Sequence, residues 1–286
     1  MYQPISKNFF KKKVLLYVDM GEAQPVESLT TEPLLTERED HTSLSLNANA
    51  PLLEGLHSHW MSLQQQHIYI SVVFFAIGFS AIFALATAIF GWLALDMAAY
   101  LFIWPSVILW GVLGILYPQY GKLAFQGFLI GIFACLFYDG MRFTAIAWGL
   151  WKDFIPNIGI WLLHTNKPNW IIGYLWRYVG DGGLMSSAFV VGYRLLKPKI
   201  PVCLAALFFG IAIWFCLITT IFLAPHGTEM LFPLTLLTLS LSLLGHIIYG
   251  LSIGILYPIF TRQKAFSQLF YLIIAWYLGK IYPVFV

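Results

Sequence analysis

Long apolar stretches separated by short polar segments make up the chain from residue 67 onward. A helix needs about 20 mostly apolar residues to cross the hydrocarbon core of a bilayer. The pattern therefore predicts an all-α, polytopic transmembrane helix bundle with about seven spans. The predicted spans are 68–95, 98–117, 123–150, 170–193, 200–223, 230–257 and 267–286.

Residues 1–66 lack this pattern, because Ser, Thr, Glu, Asn and Pro are scattered among the apolar residues without a sustained period. A segment of this kind buries too little apolar surface to offset the entropy cost of ordering its backbone. We predict a largely disordered N-terminal tail over 1–66 and a transmembrane helical domain over 67–286.

The amino-acid composition also favours a protein embedded in a lipid bilayer. The chain is 59% hydrophobic and 10% charged, whereas an average soluble domain is about 25% charged. Residues 1–66 carry five basic and eight acidic residues, and residues 67–286 carry eleven basic and five acidic residues. No basic run carries a nucleic-acid-binding motif, so a nucleic-acid partner is not predicted.

The basic residues also predict an orientation, because loops on the cytoplasmic side of a membrane are enriched in Lys and Arg. The loops on the side of the tail hold Lys122, Arg194, Lys197, Lys199, Arg262 and Lys264. The opposite loops hold Lys152 and Lys167, and Lys152 lies in a segment, residues 151–164, that is amphipathic and aromatic. We expect a cytoplasmic N-terminus, an external C-terminus, and a segment 151–164 that lies on the outer interface, with a substrate lid as the alternative.

A short sequence repeat suggests duplication. Gly-Ile-Leu-Tyr-Pro occurs at 114–118 near the end of the second predicted span and at 254–258 near the end of the sixth. A parallel repeat that relates spans one to three with spans five to seven would explain it, as in some transporters. Coincidence in an apolar alphabet is the alternative.

Small residues in the sixth predicted span favour close helix packing. Gly250 and Gly254 form a GxxxG pattern, which lets two helix backbones approach closely. The contact could lie within the chain, or it could join a second copy or another membrane protein.

The same span reads Gly245-His246-x-x-Tyr249-Gly250-x-x-x-Gly254-x-x-Tyr257. It resembles a helix of small uncharacterised bacterial multipass membrane families, the YagU-like inner-membrane proteins among them. The resemblance covers one helix and implies a bacterial inner-membrane protein. It assigns no site residue.

Two opposite-charge pairs interrupt the third and fourth predicted spans. Asp139 and Arg142 are three residues apart, and Arg177 and Asp181 are four apart, so each pair shares a helix face. Ionisable residues inside a membrane are costly and indicate a functional site by default. Counting about 1.5 Å per residue from the connecting loop places both pairs at similar depth on neighbouring antiparallel helices.

We predict that these four residues form one ion network in the outer half of the membrane, in which each Arg pairs within its helix and with the Asp of the other helix. Glycines around Asp181 favour a broken helix that exposes backbone groups to a ligand. Tyr138, Tyr178 and His246 are further candidate polar contributors.

Three functions fit this network. The first is binding or translocation of a small ion or solute, and the second is a non-catalytic structural or assembly subunit. The third is a lipid-modifying enzyme, because Asp139-Gly140-Met141-Arg142 resembles part of the CDP-alcohol phosphatidyltransferase motif. Leu136 and Asn157 stand where that motif has Asp, so enzyme activity is not favoured. The three cysteines show no metal-ligand spacing, and no metal or cofactor is predicted.

Overall fold

The computed structural model describes residues 65–196 and 198–262. Within these ranges every regular element is a helix, which agrees with the predicted all-α class. The predicted seventh span, 267–286, and the predicted tail up to residue 64 lie outside the described residues. The helices are α1 (Gln65–Gly78), α2 (Ser80–Ile89), α3 (Leu95–Leu116), α4 (Pro118–Ala147), α5 (Ile155–Leu163), α6 (170–196), α7 (Val202–Leu223), α8 (Gly227–Met230) and α9 (Leu236–Arg262).

Four of these helices, α3, α4, α7 and α9, are long and apolar enough to cross a membrane. The bent pair α1 and α2, with an angle of 47°, makes a fifth span if the two are counted as one. Helix α6, which contains the predicted fourth span, is not among the four. Its charged residues and glycines lower its hydropathy below that of its neighbours.

Helix α4 lies at the centre of the bundle and packs against α3, α6 and α9, while α7 packs against α9. Helices α7 and α9 approach each other closely at two glycines of α9, Gly250 and Gly254. A Cβ on Gly250 would collide with the carbonyl of Ala206, and a Cβ on Gly254 would collide with the backbone of Cys203. The GxxxG face of α9 is therefore in contact with α7 of the same chain.

The two copies of Gly-Ile-Leu-Tyr-Pro adopt different structures. In the first copy α3 ends at Leu116, Tyr117 takes a non-helical conformation, and Pro118 begins α4. In the second copy α9 continues through Pro258 to Arg262. The difference follows from packing, because the first copy makes a tight hairpin in which Gly114 contacts Gly121. The parallel repeat stays a prediction.

The segment 151–164 packs into the protein, and its placement at the outer membrane interface stays a prediction. Trp151, Ile155 and Ile158 are buried in the core, and α5 packs against the start of α6. Gly173 makes this packing close, since a Cβ there would overlap the carbonyl of Ile155. The segment is thus part of the core that surrounds the charged residues.

Candidate functional site

The charged part of α6 is wound as a π-helix over Trp176–Leu184, between α-helical segments Trp170–Leu175 and Met185–Leu196. The glycine-rich sequence was expected to break the helix, and the structure widens the turns instead. π-helical turns occur frequently at functional sites. The Tyr249 hydroxyl of α9 donates a hydrogen bond of 2.8 Å to the carbonyl of Gly182 in this segment.

Asp139 of α4 is the centre of the ion network. Its Oδ1 accepts from Nε of Arg142 at 3.1 Å and from Nη2 of Arg177 at 3.3 Å. The side chains of Asp139 and Arg142 are 1% and 2% exposed. One carboxylate oxygen therefore joins two guanidinium groups from two helices in a buried site.

Arg142 also contacts Asp153 and Tyr174, two residues that were not predicted to belong to the network. Its Nη1 donates to Oδ1 of Asp153 at 2.8 Å, and its Nη2 donates to the Tyr174 hydroxyl at 2.6 Å. That hydroxyl in turn donates to Oδ2 of Asp153 at 2.9 Å. Asp153 is the one acidic residue between the third and fourth predicted spans, and that was the available signal.

Asp181 is the acid of the network that lies farthest from its guanidinium partner. Its Oδ2 lies 3.8 Å from Nη1 of Arg177, the longest of the Arg–Asp pairs here. Its Oδ1 is buried without a hydrogen-bond partner among the described residues. The predicted pair between Arg142 and Asp181 does not occur within the described part of the chain, because Arg142 is directed toward Asp153 and Tyr174 instead.

The other candidate residues lie around these charges. The Arg177 guanidinium stands 4.3 Å from the ring centroid of Tyr138, and the His246 ring meets Tyr138 edge-on at 5.3 Å. Nδ1 of His246 is 2.8 Å from the Ser242 carbonyl, so this nitrogen carries the proton. Tyr178 is partly buried and packs against Tyr174.

A cavity of about 340 Å³, here called the chamber, reaches the network. Arg142, Arg177 and Asp181 form its charged end, and Asp139 is not part of its lining. The side chains of Arg177 and Asp181 are 13% and 12% exposed. The rest of the lining is mostly apolar and comes from α2, α5, α7 and their neighbours: Phe75, Phe79, Ile82, Leu85, Ile89, Trp151, Phe154, Ile155, Ile158, Met185, Phe209, Ile213, Leu217, Leu231 and Phe232.

Residues 152–268 match a family of unknown function, DUF6789. The match covers less than half of the chain. It takes in Asp153, Arg177 and Asp181 and leaves out Asp139 and Arg142. No curated protein and no solved structure matches the chain. The YagU-like resemblance stays a prediction.

A second cavity of about 330 Å³, here called the outer cavity, is lined mostly by residues of the DUF6789 match. Its polar lining includes Lys152, Asn157, Thr228, Glu229 and Thr238. Four residues line both the chamber and the outer cavity: Trp151, Phe154, Leu231 and Phe232. The Phe232 ring contacts the rings of Trp151 and Phe154, with centroids 5.3 and 5.8 Å apart. A thin aromatic wall therefore separates the two cavities.

Proposed function

We propose that the protein is an integral membrane protein that binds or translocates a small ion or solute at the charged end of the chamber. The observation that carries the proposal is the cavity of about 340 Å³ whose apolar walls end at Arg177 and Asp181. Ligand sites are typically clefts of about 300–1,000 Å³ with apolar walls and a few placed polar groups.

The network divides into two parts that support different roles. Asp139 and Arg142 are fully buried and closely paired. Arg142 also borders the chamber, but its nitrogens donate to Asp139, Asp153 and Tyr174. Arg177 and Asp181 border the chamber too, and their mutual distance is 3.8 Å. Because a close pair mainly holds structure while a loose, accessible pair can exchange partners, we assign ligand contact to Arg177 and Asp181 and scaffolding to Asp139 and Arg142.

The alternative function is a non-catalytic structural or assembly subunit. Its support is the closure of Asp139 onto two guanidinium groups, which joins α4 to α6. Removal of one partner from a buried ion pair of this kind is strongly destabilising, whether or not a ligand binds nearby. A purely structural role for the ion network gives no reason for the chamber beside it.

The membrane topology in this proposal has seven spans, with α6 as the fourth and 267–286 as the seventh. Helix α6 can cross because Arg177 and Asp181 are directed toward partners within the bundle and toward the chamber, which lowers the cost of charge in hydrocarbon. The N-terminus is cytoplasmic and the C-terminus external, in a bacterial inner membrane. The chamber then opens its charged end in the outer half of the bilayer.

The test measures the thermal unfolding of the purified full chain in detergent with five probes. The probes are sodium, ammonium, benzyltrimethylammonium, neopentylbenzene and phenylacetate. A ligand that binds only the folded state stabilises it by RT ln(1 + [L]/Kd), so at least one probe should raise the unfolding midpoint.

A pair of variants locates the binding. Ala212→Trp fills the chamber, since Ala212 is part of its lining, and it should abolish the rise in midpoint. Leu204→Trp adds the same ring to the same helix at an exposed position outside the chamber lining, and it should preserve the rise. If no probe stabilises the unmodified protein, the proposed function is overturned and the structural alternative gains.

A further inference from the structure

The charges of the network are unequal. Asp139, Asp153 and Asp181 face the two guanidinium groups of Arg142 and Arg177. Arg142 has short contacts with Asp139 and Asp153, and Arg177 has short contacts with Asp139, so these four groups balance one another. The surplus negative charge falls on Asp181, whose nearest guanidinium nitrogen is 3.8 Å away. Asp139 and Asp181 each have one buried carboxylate oxygen without a hydrogen-bond partner among the described residues, and of these two acids Asp181 borders the chamber.

Aromatic residues make up much of the lining of the chamber that Asp181 borders. Six Phe and Trp rings line the chamber besides Tyr138 and His246, and they belong to Phe75, Phe79, Trp151, Phe154, Phe209 and Phe232. Aromatic faces attract organic cations, and the attraction grows when the cation is removed from water. The ring of Tyr138 already carries a cation, because the Arg177 guanidinium lies over it.

A metal ion is a poor fit to the same end of the chamber. Ca²⁺ and Mg²⁺ require about six oxygen ligands, and the described residues contain no group of three or more His, Cys, Asp or Glu that could hold a metal ion. Most of the remaining lining is apolar and offers few oxygens to replace the water lost by a small inorganic cation.

An anion is disfavoured because both guanidinium groups already have anionic partners. Nε and both terminal nitrogens of Arg142 donate to Asp139, Asp153 and Tyr174. An anion that approached Arg177 from the chamber would also meet the carboxylate of Asp181, since both side chains are part of the lining. The negative charge of the anion and that of the Asp181 carboxylate would repel each other.

We infer that the ligand of the chamber is an organic ammonium ion with apolar substituents, whose charge pairs with Asp181 and whose substituents contact the aromatic walls. This inference rests on the proposed function, because it names the class of solute for the same site. The cluster then becomes electrically neutral when the ligand is bound.

The test compares three probes of similar size. Benzyltrimethylammonium and neopentylbenzene have the same shape and differ in one charge, and phenylacetate carries the opposite charge. Isothermal titration of the full chain in detergent should give benzyltrimethylammonium an affinity at least tenfold higher than that of either other probe, which is about 1.4 kcal/mol. This comparison uses the unmodified protein and does not depend on the folding of a variant.

Asp181→Asn should lower the affinity for benzyltrimethylammonium at least tenfold and leave that for neopentylbenzene unchanged. Glu229→Gln removes an acid of the outer cavity and should change neither affinity. Equal binding of the charged and neutral probes, or tightest binding of phenylacetate, overturns the inference while the proposed function stands. The absence of binding by every probe overturns the proposed function itself.

Discussion

Arg177 reaches from α6 across to Asp139 of α4, with Nη2 3.3 Å from Oδ1. The same oxygen accepts a hydrogen bond from Arg142, three residues further along α4. Asp139 is thus the shared anion for two cations from two helices. Its loss would leave both guanidinium groups without their central partner.

Asp139→Asn should strongly destabilise the protein. A neutral amide cannot balance two buried guanidinium groups, and breaking a buried ion pair from one side costs about 3–5 kcal/mol. The free energy of unfolding, measured by denaturant titration in mixed micelles, should fall by that amount. Glu229→Gln is the control, because this acid is 81% exposed, and a change within about 0.5 kcal/mol is expected. Equal stability of the two variants would show that Asp139 does not hold α4 to α6.

Tyr174→Phe should destabilise the protein less than Asp139→Asn does. The change removes the hydroxyl that joins Arg142 to Asp153 and keeps the direct contact of 2.8 Å between those two residues. Hydrogen bonds to charged groups contribute about 1.5–3 kcal/mol, so a loss in that range is expected in the same titration. Tyr100→Phe, at an exposed position, should leave the free energy of unfolding unchanged. A Tyr174→Phe protein as stable as the parent would rule out a bridging role.

Gly131→Ala should separate α4 from α6. A Cβ there would overlap the carbonyl of Gly182 in the π-helical segment and meet the side chain of Ser186. Overpacking of this kind costs about 1–3 kcal/mol. Gly140→Ala is a matched control on the same helix, because its Cβ would meet nothing within 4 Å. The thermal midpoint should fall for the first variant and hold or rise for the second, and the reverse order would contradict the packing described.

Phe232→Ala should connect the chamber to the outer cavity, because it removes a ring that lines both. Cys216 lines the chamber and reports access to it in a chain that carries Cys135→Ala and Cys203→Ser. Its reaction rate with a trimethylammonium methanethiosulfonate reagent should rise several-fold. Leu236→Ala, at an exposed position that lines neither cavity, should leave the rate unchanged. An unchanged rate in Phe232→Ala would mean that the ring is not part of a barrier.

Helix periodicity was sufficient to bring the charged residues together. The spacing of Asp139 with Arg142 and of Arg177 with Asp181 placed each pair on one helix face. Counting from the connecting segment placed the two pairs at similar depth on neighbouring helices. The pairing of Arg142 with Asp153 was not predictable in this way. It depends on residues 151–164 folding back over the charges, and their amphipathic pattern fits an interfacial segment equally well.

The winding of α6 is another feature that local sequence left open. Gly180, Gly182 and Gly183 predicted weak helix, because glycine lowers helix propensity. The structure keeps the helix and widens it, with Tyr249 donating a hydrogen bond to Gly182 from α9. This contact is tertiary, so a pattern within α6 could not reveal it. Tertiary contacts also explain why the identical sequences at 114–118 and 254–258 have different structures. The first ends a helix, and the second continues one.

The π-helical winding of Trp176–Leu184 gives α6 a segment that could rewind as α-helix. A π-helical turn takes up more residues than an α-helical turn, so conversion of this segment to α-helix would rotate one end of α6 relative to the other. Each residue released would turn Met185–Leu196 by roughly 100° about the helix axis. The Ser187 hydroxyl would then leave the Ala124 carbonyl, which it now meets at 2.7 Å. Rotation of this half-helix would therefore change what faces α4 on one side of the site while Trp170–Leu175 stays packed against α5.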